Sequence, residues 1–119
     1  MPACREHRRR MTAARVILLG AALAPYLALV SVDAWMHEKA RSVPRVEQLF
    51  HLAAAIFFVA FVVTVFLESA AALPLLAAYV VCAVVDEIGF HRHLRGAERR
   101  LHFVSYAALA LFVGAWWLS

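Results

Sequence analysis

Four long apolar runs separated by short charged stretches constrain this sequence more than any other feature. They extend from about Val16 to Met36, from Val46 to Leu67, from Leu73 through Val85 to Phe90, and from Leu101 to Leu118. A helix rises about 1.5 Å per residue and a bilayer's hydrocarbon core is about 30 Å thick, so each run is of the length needed to cross it. The chain of 119 residues is 65% hydrophobic with a mean hydropathy of +0.75, too apolar for a soluble domain of this size. The expectation is an all-α membrane protein whose partner is the lipid bilayer. Its four transmembrane helices form an up-down-up-down bundle over residues 16–119, after a polar basic tail at 1–15.

Punctuation along the chain agrees with this division. Pro44 and Pro74 stand where helix starts are expected and Gly96 where a helix end is expected. Pro25 falls inside the first span, where a kink is tolerable because neighbouring helices can satisfy the freed carbonyl. Trp35, Trp116 and Trp117 lie near span ends, as interfacial aromatics do. The tail carries His7 followed by three Arg and faces lipid headgroups. A signal peptide is the rival reading, with Ala22-Leu23-Ala24 as the small-residue site. Pro25 directly after that triplet makes cleavage poor, and the apolar run continues to Val32. Met11 is an alternative start.

The net charge of +4 and the sequence pI near 9.7 do not indicate nucleic acid, because the basic residues sit at the ends of apolar runs. Cys4 lies in the tail and Cys82 in an apolar run, so no disulfide framework is implied and Cys82 reads as a packing residue. Four spans place both termini on one side of the membrane. The connections holding Lys39, Arg41, Arg45, Arg92, Arg95, Arg99 and Arg100 outweigh the tail's Arg residues, which leans toward those connections being cytoplasmic. The expected location is an inner (plasma) membrane of bacterial type.

The polar residues at the span ends form a pattern. Asp33 and His37, Glu47 and His51, Glu87 and His91, and Glu98 and His102 are each an acid followed four residues later by a histidine. That spacing puts both side chains of a pair on one helix face, one turn apart. Two pairs flank the turn Ala40 to Arg45 and two flank the next, so the chain reads as two similar helical hairpins, 16–67 and 73–118. In the first hairpin His37 and Asp33 come out about 9 and about 15 Å from the turn, and Glu47 and His51 about 6 and about 12 Å. In the second, His91 and Glu87 come out about 7 and about 13 Å, and Glu98 and His102 about 3 and about 9 Å. All eight occupy one shallow slab, and antiparallel packing can gather them into one cluster.

Ionisable groups at membrane depth usually face the bundle interior, paired or lining a site. Four carboxylates and four imidazoles suit transition-metal ions, iron above zinc or manganese, with copper less favoured for want of sulfur donors. Eight donors on four helices are enough for two such ions with open positions. Bland readings stand beside this one. Glu47 and Glu98 begin helices, where the dipole stabilises a carboxylate without any metal, and His37 and His91 fit an interfacial role. Asp86 competes with Glu87 for the inward face, and Glu87 is preferred because it matches the repeat. His93 and Glu38 read as exposed. Tyr26 and Tyr106 continue the polar stripes into the membrane as hydrogen-bond donors or as packing.

The arrangement resembles, in architecture only, the ferritin-like di-metal carboxylate bundles, in which facing helices supply acids and histidines to two irons. Those use Glu-x-x-His on two helices, whereas here each helix carries acid-x-x-x-His, so no residue roles carry over. The expected function is an integral membrane metal-binding protein with a dinuclear, iron-type carboxylate and histidine centre, acting as an oxidoreductase on a small or lipidic substrate. The alternative is a non-enzymatic metal carrier, or a small subunit of a larger membrane complex or homo-oligomer. Haem between His51 and His102 is a third reading, under which the acids would be unexplained buried charges.

Overall fold

The computed structural model describes residues 11–40, 44–89 and 96–119, with the side chains of 37–40 outside that description. It has four helices: α1 (Ala13–Ala40), α2 (Arg45–Phe66), α3 (Ala72–Gly89) and α4 (Ala97–Leu118). All four are long and apolar enough to span a membrane, and among the described residues there is no strand. At most 17% of each span's most apolar window is buried inside the protein. Most of the apolar surface, including Ile17, Leu49, Val59, Val81 and Leu111, therefore faces outward and needs lipid to cover it. This is an integral membrane protein.

Local sequence sets the helix limits. Pro25 lies within α1 as expected. Pro44, in extended backbone with φ −58° and ψ 149°, precedes α2, and Glu47 stands in that helix's first turn. Gly96, expected at a helix end, stands instead at the start of α4 with φ 68°, a left-handed value that only glycine adopts freely. The turn between α2 and α3 is closed by Glu68, a left-handed residue at φ 53°. Ser69 N–H donates to Thr64 O at 2.9 Å, and Ala72 N–H to Ser69 O at 3.1 Å. Arg15, assigned to the tail by its charge, lies in the first turns of α1. There its guanidinium meets Glu68 at 2.6 Å and donates to Ser119 Oγ at 3.1 Å, which ties α1, the α2–α3 turn and the end of α4 together.

Packing is closest between α2 and α3 and between α1 and α4. The short α2–α3 turn makes that pair antiparallel neighbours. The interior changes character along the bundle. At the end where Arg15 and Glu68 meet, Leu19, Phe61, Val65, Ala72 and Phe112 are fully buried, so every helix contributes to one apolar layer. Phe61 packs edge-on against Phe112 and Trp116. Above this layer Tyr26 and Tyr79 are hydrogen-bonded to each other, with the Phe58 ring against both. Above the tyrosines, toward the α1–α2 and α3–α4 connections, the interior becomes charged. Three hydroxyls in the spans bond within their own helices, Ser31 to Leu27 O, Thr64 to Ala60 O and Ser105 to Leu101 O, and so add no polar surface.

Candidate metal centre

Glu47 and His51 lie one turn apart near the start of α2, and antiparallel packing sets them opposite Asp86 in the last turn of α3. His51 Nε2 is 3.2 Å from Asp86 Oδ2 and 4.0 Å from Glu47 Oε1. One donor atom from each of the three residues lies within 4.8 Å of the others. Glu47 is 2% exposed, while the His51 side chain is 36% exposed, so the group is walled on the Glu47 side and open beside the imidazole. Two carboxylates and an imidazole converging on one point could together ligate a cation.

A second polar cluster adjoins the first. His102 of α4 is buried, and its two ring nitrogens are engaged on opposite edges. Nε2 stands 3.1 Å from Asp33 Oδ1 and Nδ1 stands 3.0 Å from Glu87 Oε2. Tyr106 O–H donates to the same Glu87 oxygen at 3.0 Å. Residues of α1, α3 and α4 are thereby joined through one imidazole. Asp86 and Glu87 are neighbours on α3, and about 100° of helix rotation sends one carboxylate to His51 and the other to His102.

The eight residues singled out by spacing thus fall into separate places. Glu47 and His51 come together as expected, with Asp86 as their third partner. Glu87, preferred over Asp86 on the repeat argument, serves His102 instead. Asp33 also joins His102, so each imidazole meets an aspartate of another helix. Glu98 is half-buried in the first turn of α4 and is not part of the converging group. The side chains of His37 and His91 lie outside the described residues.

The sequence reading passed over Asp86 in favour of Glu87 and missed Tyr79, and one signal could have found both. Tyr26 precedes Asp33 by seven residues on α1, and Tyr79 precedes Asp86 by seven on α3. Aligning the hairpins on Tyr and Asp rather than on acid and His matches Asp33 with Asp86 and identifies Tyr79 as the counterpart of Tyr26.

Comparison of the chain with protein-family models, with curated proteins and with solved structures gives no match.

Proposed function

We propose that this integral membrane protein binds a divalent transition-metal ion between α2 and α3 at Glu47, His51 and Asp86. The observation that carries the reading is the convergence of three donor atoms within 4.8 Å, with Glu47 almost fully buried. Two carboxylates close together at membrane depth repel each other and are costly without a counter-charge. A dication with two carboxylates and a neutral imidazole makes a site of zero net charge. Oxygen and nitrogen donors favour iron, manganese or zinc over copper.

Three protein donors leave coordination positions for water or a substrate, which supports redox chemistry at an iron-type ion on a small or lipidic molecule arriving on the His51 side. The basic connections between apolar helices fit a bacterial inner (plasma) membrane.

A second reading is a non-enzymatic metal carrier, or a small subunit in a larger membrane complex or homo-oligomer. The brevity of the connections favours it, since only Leu67–Ala71 join α2 to α3 and little chain remains to build a substrate pocket. Elemental analysis of protein purified without added metal tests the binding itself. An optical spectrum tests the redox reading, which requires ferric charge-transfer absorption; zinc alone would leave the second reading. Metal content unchanged by His51→Ala would rule out the site.

A further inference from the structure

The correspondence between the hairpins extends into the core. At one constant spacing Leu19, Tyr26 and Asp33 of α1 match Ala72, Tyr79 and Asp86 of α3, and at a second Glu47, His51 and Phe61 of α2 match Glu98, His102 and Phe112 of α4. Exchanging the hairpins carries the closely packed pair α2 and α3 onto the other such pair, α4 and α1. Tyr26 bonds to Tyr79 and Phe61 packs on Phe112, so these residues touch their own counterparts, as residues beside a two-fold axis do. The bundle is therefore pseudo-symmetric. Glu47, His51 and Asp86 have their image in Glu98, His102 and Asp33.

The image keeps the contact on which the first group is built. His51 Nε2 meets Asp86 Oδ2 at 3.2 Å, and His102 Nε2 meets Asp33 Oδ1 at 3.1 Å. Two donors each about 2.1 Å from one ion, at angles of about 90–109°, stand about 3.0–3.4 Å apart, so both pairs are spaced as neighbouring ligands. The second imidazole is also held from its far edge. Glu87 Oε2 lies 3.0 Å from His102 Nδ1 and accepts the Tyr106 O–H at 3.0 Å. A carboxylate only accepts, so Nδ1 carries the hydrogen, and a neutral ring then presents its Nε2 lone pair toward Asp33. Ligating histidines are oriented in this way, with the far ring N–H on a carboxylate. Ala34 and Ala55 stand at the matching positions of the first hairpin, so Glu87 and Tyr106 have no counterpart there. One turn before His102 on the same face of α4, Glu98 holds the place that Glu47 has on α2.

We propose that Asp33 and His102 form the core of a second divalent-cation site, completed by Glu98, in which Glu87 and Tyr106 position the imidazole without touching the ion. The inference rests on the metal-binding reading of the Glu47 group, whose image this site is. It adds a second ion per chain and gives a role to Glu87, which the first site leaves unused. Charge favours a metal ion over a proton between His102 and Asp33. Asp33, Glu87 and Glu98 bring three negative charges around one imidazole; a proton on Nε2 offsets one of them, and a dication offsets two.

Cobalt(II) is the probe. Full-length protein in detergent is dialysed against it, and bound metal is measured per chain. The parent is expected to hold about two ions, His51→Ala and His102→Ala about one each, and the double variant none. Asp33→Asn, which keeps the shape of the side chain, should match His102→Ala and serves where that variant fails to fold. The His51→Ala background isolates the second site, and there Glu98→Gln should weaken the remaining ion. In the same background Glu87→Ala should weaken it by about 10–100-fold, while Glu87→Gln, whose amide oxygen still accepts from Nδ1, should stay close to the unmodified background. Glu87→Ala that binds as tightly as Glu87→Gln would overturn the positioning role. A parent that holds one ion, lost in His51→Ala and kept in His102→Ala, would overturn the second site and leave the first standing; a proton would then fill the place between His102 and Asp33. A parent that binds no cobalt would remove the metal reading itself, and the second site with it.

Discussion

The hydroxyls of Tyr26 and Tyr79, counterparts in the two hairpins, are hydrogen-bonded to each other inside the bundle. Each satisfies the other where no water reaches, so removing one oxygen leaves the second buried without its partner. Tyr26→Phe and Tyr79→Phe should each lower stability by about 1–2 kcal/mol. The double variant, which removes both hydroxyls, should cost less than the two singles added together. Chemical denaturation in detergent, followed by helix content, measures the three values. Strict additivity would show that the hydroxyls do not depend on each other.

The proposed metal site predicts a specific pattern among histidines and acids. His51→Ala and Asp86→Asn should each reduce bound metal by tenfold or more in apparent affinity, a loss of at least about 1.4 kcal/mol, because a three-donor site has no spare ligand. His7→Ala and His93→Ala, at positions outside the repeat, should leave metal content as in the parent. Elemental analysis of the four variants, purified alike, decides the matter. Loss of metal in the His93 variant with retention in the Asp86 variant would relocate the site.

The number of the helices was legible in the sequence because lipid imposes a length and a composition that few alternatives share. α3 begins and ends within a residue of its expected span, from Ala72 to Gly89. Arg15 was misplaced because its charge marks it as a tail residue, while its partner Glu68 is distant in sequence and reaches it only through folding. Glu47 with His51 was legible because an acid and a histidine four apart must share a helix face. The role of Asp86 was not, since Asp86 and Glu87 differ by one helical step and spacing within one helix does not say which neighbour each meets. Packing of α2 on α3, and of α1 on α4, decides that.

The contact between Arg15 and Glu68 closes the end of the bundle opposite the acids. Arg15→Ala leaves Glu68 half-buried without its closest cation and removes the tie to Ser119, so the variant should unfold at lower denaturant. Glu68→Gly loses the same ion pair but relieves the left-handed backbone at φ 53°, a strain of about 1 kcal/mol for a residue with a Cβ. It should therefore be less destabilised than Arg15→Ala by roughly that amount. Equal melting of the two variants would mean that the turn is not strained.

Access to the site should be one-sided. The acids and histidines lie toward the α1–α2 and α3–α4 connections, whereas Leu19, Phe61, Val65, Ala72 and Phe112 fill the interior nearer the termini. From His51 to Phe61 on α2, and from His102 to Phe112 on α4, the distance along the helix is about 15 Å, half the hydrocarbon thickness. A divalent ion would have to shed its ligands and cross that apolar layer, which among the described residues no charged side chain lines until Glu68 and Arg15. Cobalt(II) added outside proteoliposomes should therefore bind the protein without quenching a metal-sensitive dye in the lumen. Cysteines substituted at Ser42 and Ser119, in a chain whose own cysteines are replaced, should label from opposite sides with an impermeant thiol reagent. Labelling of both from one side would break the four-span topology. Dye quenching that disappears in His51→Ala would show that ions pass through the site, and the apolar layer would then have to open during the cycle.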